Sequence, residues 1–106
     1  MKLLTQAIRN SIPKLGSQDE KGENAIIHVK YFGGGSWSWF ATEGEPVLDD
    51  DGNEIDFQFF GLVHGFEKEL GYFHLSELQS IKFPPFNLGI ERDLYLGKNK
   101  TLKDFM

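Results

Sequence analysis

The chain of 106 residues contains no cysteine, which removes disulfides, thiolate nucleophiles and cysteine zinc sites together. No apolar run is long enough to cross a bilayer, and the opening MKLLTQAIRN is amphipathic rather than a charged-then-apolar signal. The expectation is a soluble, cytoplasmic protein with no membrane partner. Lys and Arg are missing from Tyr31 through Glu67, where Glu43, Glu45, Asp49, Asp50, Asp51, Glu54, Asp56 and Glu67 all carry negative charge. With a net charge of −5 overall, the composition argues against direct nucleic-acid binding, which needs clustered cations on phosphate. One side of the molecule is expected to be acidic, as a solvated loop or as a surface for a basic partner.

Catalytic signatures are also absent. There is no serine elbow, and Gly33, Gly34 and Gly35 lead into a strand-like segment, not the helix that a phosphate-cradling loop requires. A calcium loop beginning at Asp49 fails because Glu54 stands where Gly is needed and Phe60 where Glu is needed.

What is present is apolar patterning sufficient for one domain over residues 1–106, with 40% hydrophobic residues and ten Phe. Residues 57 to 78, FQFFGLVHGFEKELGYFHLSEL, organise the rest. Phe57, Phe59, Gly61, Val63 and Gly65 share one side of a strand over 57–66, and Phe60, Leu62, His64 and Phe66 share the other. Both sides are apolar, so a central strand is expected, with Gly61 and Gly65 leaving room for a bulky ring such as Trp. Glu67 to Gly71 read as a turn and Tyr72 to Leu75 as a short strand. Ser76 with Gln79 then reads as a capping box opening a helix that buries Leu75, Leu78 and Ile81.

Before that block, Thr5 caps a helix over 5–11 that Pro13 stops, residues 16–24 form an exposed loop, and AIIHVKYF (25–32) alternates as the first strand. SWSWFATE (36–43) is a second strand with Trp37, Trp39 and Glu43 on one face. The Trp pair reads either as core or as a platform for a ring or a partner side chain. GEPVLDDDGNEID (44–56) is an acidic loop or hairpin tip centred on Asp51, Gly52 and Asn53. After the block, Lys82 to Gly89 with two prolines is an extended loop, Ile90 to Leu96 a last strand, and Thr101 caps a terminal helix. The order specifies α+β: a twisted, mainly antiparallel sheet of four to five strands with two or three short helices on it.

His64, Glu67, Glu69 and His74 have a metal-like flavour but lack the helical i, i+4 spacing of a zincin, so no metal or other cofactor is expected. Glu91 and Asp93 share a strand face that Arg92 does not, which fits an interstrand ion pair better than an acid and base pair.

Taken together, KLLTQAIR, SWSWFATE, FFGLVHGFEKELGYFHLSEL, IERDLYL and KTLKDF resemble the family catalogued as Domain of Unknown Function 2958 (DUF2958), over nearly the whole chain. The resemblance implies a small protein of bacterial genomes, often carried on plasmids, integrative elements and phages, without an established activity. The family's recurrent polar and aromatic positions correspond to Trp37, Trp39, Glu43, Glu67, Glu69, Tyr72, Glu91, Arg92 and Asp93, which are the candidate binding residues. No catalytic residue is assigned.

The leading expectation is an acidic accessory protein of a mobile element that binds a host or element-encoded protein. A small hydrolase or nucleotide-binding enzyme using Glu67, Glu69, Glu91 and Asp93 around a divalent ion is the alternative, and a DNA mimic ranks third.

Overall fold

The computed structural model describes all residues 1–106. Four strands form an antiparallel meander: β1 (Val29–Gly33), β2 (Trp37–Leu48), β3 (Glu54–His64) and β4 (Lys68–His74). Helix α1 (Gln6–Ser11) precedes them and α2 (Leu75–Ser80) follows. The short strands β5 (Lys82–Phe83) and β6 (Leu88–Gly89) pair as a separate hairpin, and β7 (Glu91–Arg92) returns to pair with β1. The main sheet therefore runs β4-β3-β2-β1-β7, with 3-10 turns at Asp19–Asn24 and Leu102–Asp104. The α+β architecture agrees with the order of elements in the sequence.

The helix expected over 5–11 runs from Gln6 to Ser11, with Thr5 just outside it as the cap, its hydroxyl accepting from the Ile8 N–H at 3.2 Å. Strand β3 is central and its alternation is as expected. Phe57, Phe59 and Phe73 join Tyr31, Trp39, Leu78 and Ile90 in a core under α1, α2 and the β5–β6 hairpin. Phe40 and Leu62 point the other way, where Ala25, Ile27 and Leu102 cover them with Leu96 and Phe105 alongside. The first of these faces is called here the helical face and the second the 3-10 face.

Several boundaries differ from the sequence reading. The stretch Glu67–Gly71 is not a turn: the reversal takes only Gly65 to Glu67, and Lys68–Gly71 already pair with β3 in an unbroken ladder. Helix α2 starts two residues early, with His74 rather than Ser76 at its cap. The Glu77 carboxylate accepts from the His74 backbone N–H and lies 2.9 Å from its Nδ1, while Ser76 binds Asp56. The long acidic loop shrinks to the turn at Asp49–Asn53, because β2 and β3 extend across residues 44–48 and 54–56.

The expected first strand loses its front half. Ile26 bridges to Thr101 and Ile27 donates to the Lys100 carbonyl, which draws this segment toward the C-terminus. The last strand stops at Arg92, since Asp93 folds its carboxylate onto the Tyr95 N–H at 2.7 Å and turns the chain. Lys82–Gly89 is a hairpin rather than a bare loop.

Two glycines are dictated by close approach. A Cβ at Gly61 would lie 1.8 Å from the Phe40 carbonyl oxygen, so here the partner is backbone and not a Trp ring. At Gly65 the expectation holds, since a Cβ would meet the Trp37 ring at 2.2 Å.

Candidate functional site

The two Trp rings differ in burial. Trp39 is buried in the core of the helical face, whereas Trp37, two residues nearer the strand end, is half-buried and stacks on Trp39 at 5.9 Å. Ser38 is opposite His64, which carries Trp37 past the end of the ladder and over Gly65. There Phe66, at the tip of the β3–β4 turn, meets it edge-on at 5.3 Å. Phe66 is 96% exposed, more than any other large apolar side chain in the protein.

Glu67 and Glu69 follow on the same side as Val63, with Glu69 directly across from Val63 in the ladder. Trp37, Val63, Gly65, Phe66, Glu67 and Glu69 together line a shallow notch of about 270 Å³. Neither carboxylate has a Lys or Arg partner, and Lys68 between them faces the opposite side with His64. An indole face, a phenyl ring and two unpaired carboxylates suit an ammonium or guanidinium group, which gains from both ring quadrupole and charge.

The remaining candidates lie elsewhere. Glu43 is buried beside a β-bulge in β2, and its two oxygens accept from the Gly16 and Gln18 N–H groups at 2.8 and 2.7 Å. Glu45 takes the Leu15 N–H at 3.1 Å. The pair anchors the loop that leads into the first 3-10 turn. Gln18, itself buried, bridges Ile26 and Thr42 from the same loop.

Tyr72 projects from the 3-10 face of β4 against Phe60, 5.0 Å between ring centres, and stays largely exposed. Glu91 and Arg92 form β7 at the far edge, where the Arg92 guanidinium donates to the Lys2 carbonyl. Asp93 pairs with Lys30 at 3.5 Å. Four strand spacings, roughly 19 Å, separate the β4 edge from the β7 edge. Glu67 and Glu69 consequently share no pocket with Glu91 and Asp93. The turn does not approach Glu43 or the IERD segment either.

The acidic stretch also works differently from a charged face. Besides Glu43 and Glu45, Glu54 chelates the Arg9 guanidinium, with Arg9 Nη1 to Glu54 Oε1 at 2.8 Å. That hydrogen bond holds the Glu54 carboxyl below its ordinary range and raises Arg9. Asp49 accepts from the Asn53 and Asp51 N–H groups and is lowered first by the Asn53 bond. At Asp56 burial pushes upward, but hydrogen bonds from the Ser76 hydroxyl and the Phe57 and Ser76 amides outweigh it and lower the carboxyl. Most acids that looked like a surface are ties between elements. Only Asp50, Asp51 and Glu67 of that stretch accept no side-chain hydrogen bond within the chain.

Phe66 is the residue that sequence reasoning missed for the notch, having been placed on the apolar strand. The usable signal was its position between Gly65 and Glu67, where a turn leaves a ring outside the sheet. In comparisons with known proteins, the model of a family described as a protein of unknown function (DUF2958) matches residues 3–106. No curated protein and no solved structure matches the chain.

Proposed function

The chain belongs to the DUF2958 family, whose description names no activity, and we propose that this member is a non-catalytic binding module. It takes a Lys or Arg side chain of a protein partner in the notch of Trp37, Phe66, Glu67 and Glu69. The observation that carries this reading is one set of neighbours: a fully presented Phe66 ring, the half-exposed Trp37 indole and two carboxylates without a cation. An apolar ring left almost wholly exposed at a turn tip gains little from folding, and aromatic side chains dominate binding hot spots. The mobile-element setting that the resemblance implies is in keeping with a small accessory protein of this kind, and its partner would be encoded by the host or the element.

The test is an NMR titration with N-acetyl-lysine amide and N-acetyl-arginine amide, against N-acetyl-norleucine amide as the uncharged analogue. The Trp37 indole N–H is expected to shift with the cations and to do so less as salt rises, while the Trp39 indole moves little. Equal shifts with norleucine, or none at Trp37 with any of the three, would overturn the proposal. The divalent-ion enzyme and the DNA mimic have no comparable support. The first needs four carboxylates that sit on two opposite edges, and the second needs acids that are instead bonded within the fold.

A further inference from the structure

We infer that β4 is a self-association edge, pairing antiparallel with β4 of a second copy of this chain in a register centred on Gly71. The two edges of the sheet are finished differently. At the β7 edge the strand is two residues long and the N-terminus lies against it, with the Arg92 N–H donating to Met1 Sδ at 3.0 Å and its guanidinium to the Lys2 carbonyl. At the other edge β4 pairs only with β3, over seven residues, with no bulge and no proline. Such an edge leaves a row of N–H and C=O groups that a second strand can satisfy, and the charged side chains that usually deter pairing, Lys68 and Glu69, are confined to the start of β4.

The side chains say which strand fits. Reversed about Gly71, the sequence KELGYFH places Leu70 of one copy opposite Tyr72 of the other, twice over. Both side chains stand on the 3-10 face, 51% and 63% exposed, and Tyr72 already rests on Phe60. The pairing would join Phe60, Tyr72 and Leu70 to their symmetric equivalents in one apolar stripe across a continuous sheet.

The register also avoids acid against acid. Glu69 falls opposite Phe73 and Lys68 opposite His74, so no carboxylate faces a carboxylate across the axis although each chain carries −5. Gly71 at the centre has no atom within 4 Å of where a Cβ would stand, so a side chain placed there has room. This is an isologous contact, closed after two copies.

Because the chain has no native cysteine, the register can be read directly. Facing Cα atoms of an antiparallel pair lie about 4.5 to 5.5 Å apart, within disulfide range. Gly71→Cys should therefore cross-link to a covalent dimer under mild oxidation. Glu69→Cys, whose mates would stand roughly 14 Å apart along the ladder, should not. Sedimentation of the unmodified chain should give twice the monomer mass at high concentration. The exposed-site double variant Leu70→Lys/Tyr72→Lys, with an unchanged circular dichroism spectrum, should associate roughly tenfold more weakly or less. Trp37→Ala should leave the mass unchanged, which keeps this inference separable from the notch. A chain that stays monomeric at hundreds of micromolar, including one that pairs only with a foreign strand, overturns it. So does equal cross-linking of the two cysteine variants.

Discussion

The two faces of the sheet are built to different depths. The helical face buries twelve residues of one cluster beneath two helices and a hairpin, while the 3-10 face buries five beneath two 3-10 segments and the C-terminal stretch. The thin face is also the one that leaves Leu70 and Tyr72 outside. Stability is therefore concentrated on one side of β3, and the other side has apolar surface to spare for contact. The difference follows from the segments that flank the helices: Leu3, Leu4 and Ile12 around α1 and Ile90 after the hairpin add to Leu78 of α2, whereas the 3-10 segments supply only Leu102.

The strongest way to break this contrast is to strike what both faces share. Gly61→Val drives a side chain into the Phe40 carbonyl in the β2–β3 ladder, and loss of the folded state is expected, with more than about 4 kcal/mol of destabilisation. Circular dichroism and sedimentation would report it.

The contrast itself is sharpened by paired truncations in urea. Phe59→Ala, fully buried on the helical face, should cost about 4 kcal/mol, and Leu102→Ala on the thin face about 2 kcal/mol. If Leu102→Ala proved the costlier change, the depth argument would be wrong. Glu43→Gln comes next, at about 2 kcal/mol, because one oxygen that accepts an amide N–H is replaced by a donor in a buried site. Hydrogen exchange should show the Gly16 and Gln18 amides losing protection, with the strands little affected.

A smaller effect depends on pH and on the thin face alone. His64 packs edge-on against Phe40, and its Nε2 is buried without a partner. Burial holds its imidazole below the ordinary value, Lys68 and Lys30 add to this, and the nearby Phe105 backbone opposes them. The folded chain thus binds fewer protons than the unfolded one just below about pH 6.5. Stability should rise with pH through that window and fall on acidification. His28, lowered by burial and by Lys21, adds in the same direction. Thermal melts from about pH 7.5 to 5 should show a shallow decline that His64→Phe reduces. Least of all, Trp37→Ala should change stability by under about 1 kcal/mol, since the ring is only half-buried at the sheet's end.

Much of the fold was legible because strands and helices announce themselves locally. Alternation in FQFFGLVH assigned the two faces of β3 correctly, Thr5 located α1, and the Asp51-Gly52-Asn53 signal located the β2–β3 turn. Boundaries were less legible where one residue had two competing uses. Ser76 was a good cap by type, but Asp56, twenty residues away, holds it, and Glu77 serves His74 instead. Of the nine candidate residues, Trp37, Glu67 and Glu69 meet in one notch, and the others lie in the core, on the opposite face of β4 or at the far edge.

By itself the sequence determined the class of fold, the central place of β3 and the absence of thiol chemistry, because composition and periodicity act over a few residues at a time. Only the tertiary structure decided that Glu43 is an anchor while Glu67 and Glu69 stand free, that Trp39 is core while Trp37 stays half-exposed, and that one edge is sealed and the other bare. Those distinctions depend on which distant backbone amide, ring or strand arrives alongside. Register and crossover fix that arrangement, and identical residue types two positions apart can meet opposite surroundings.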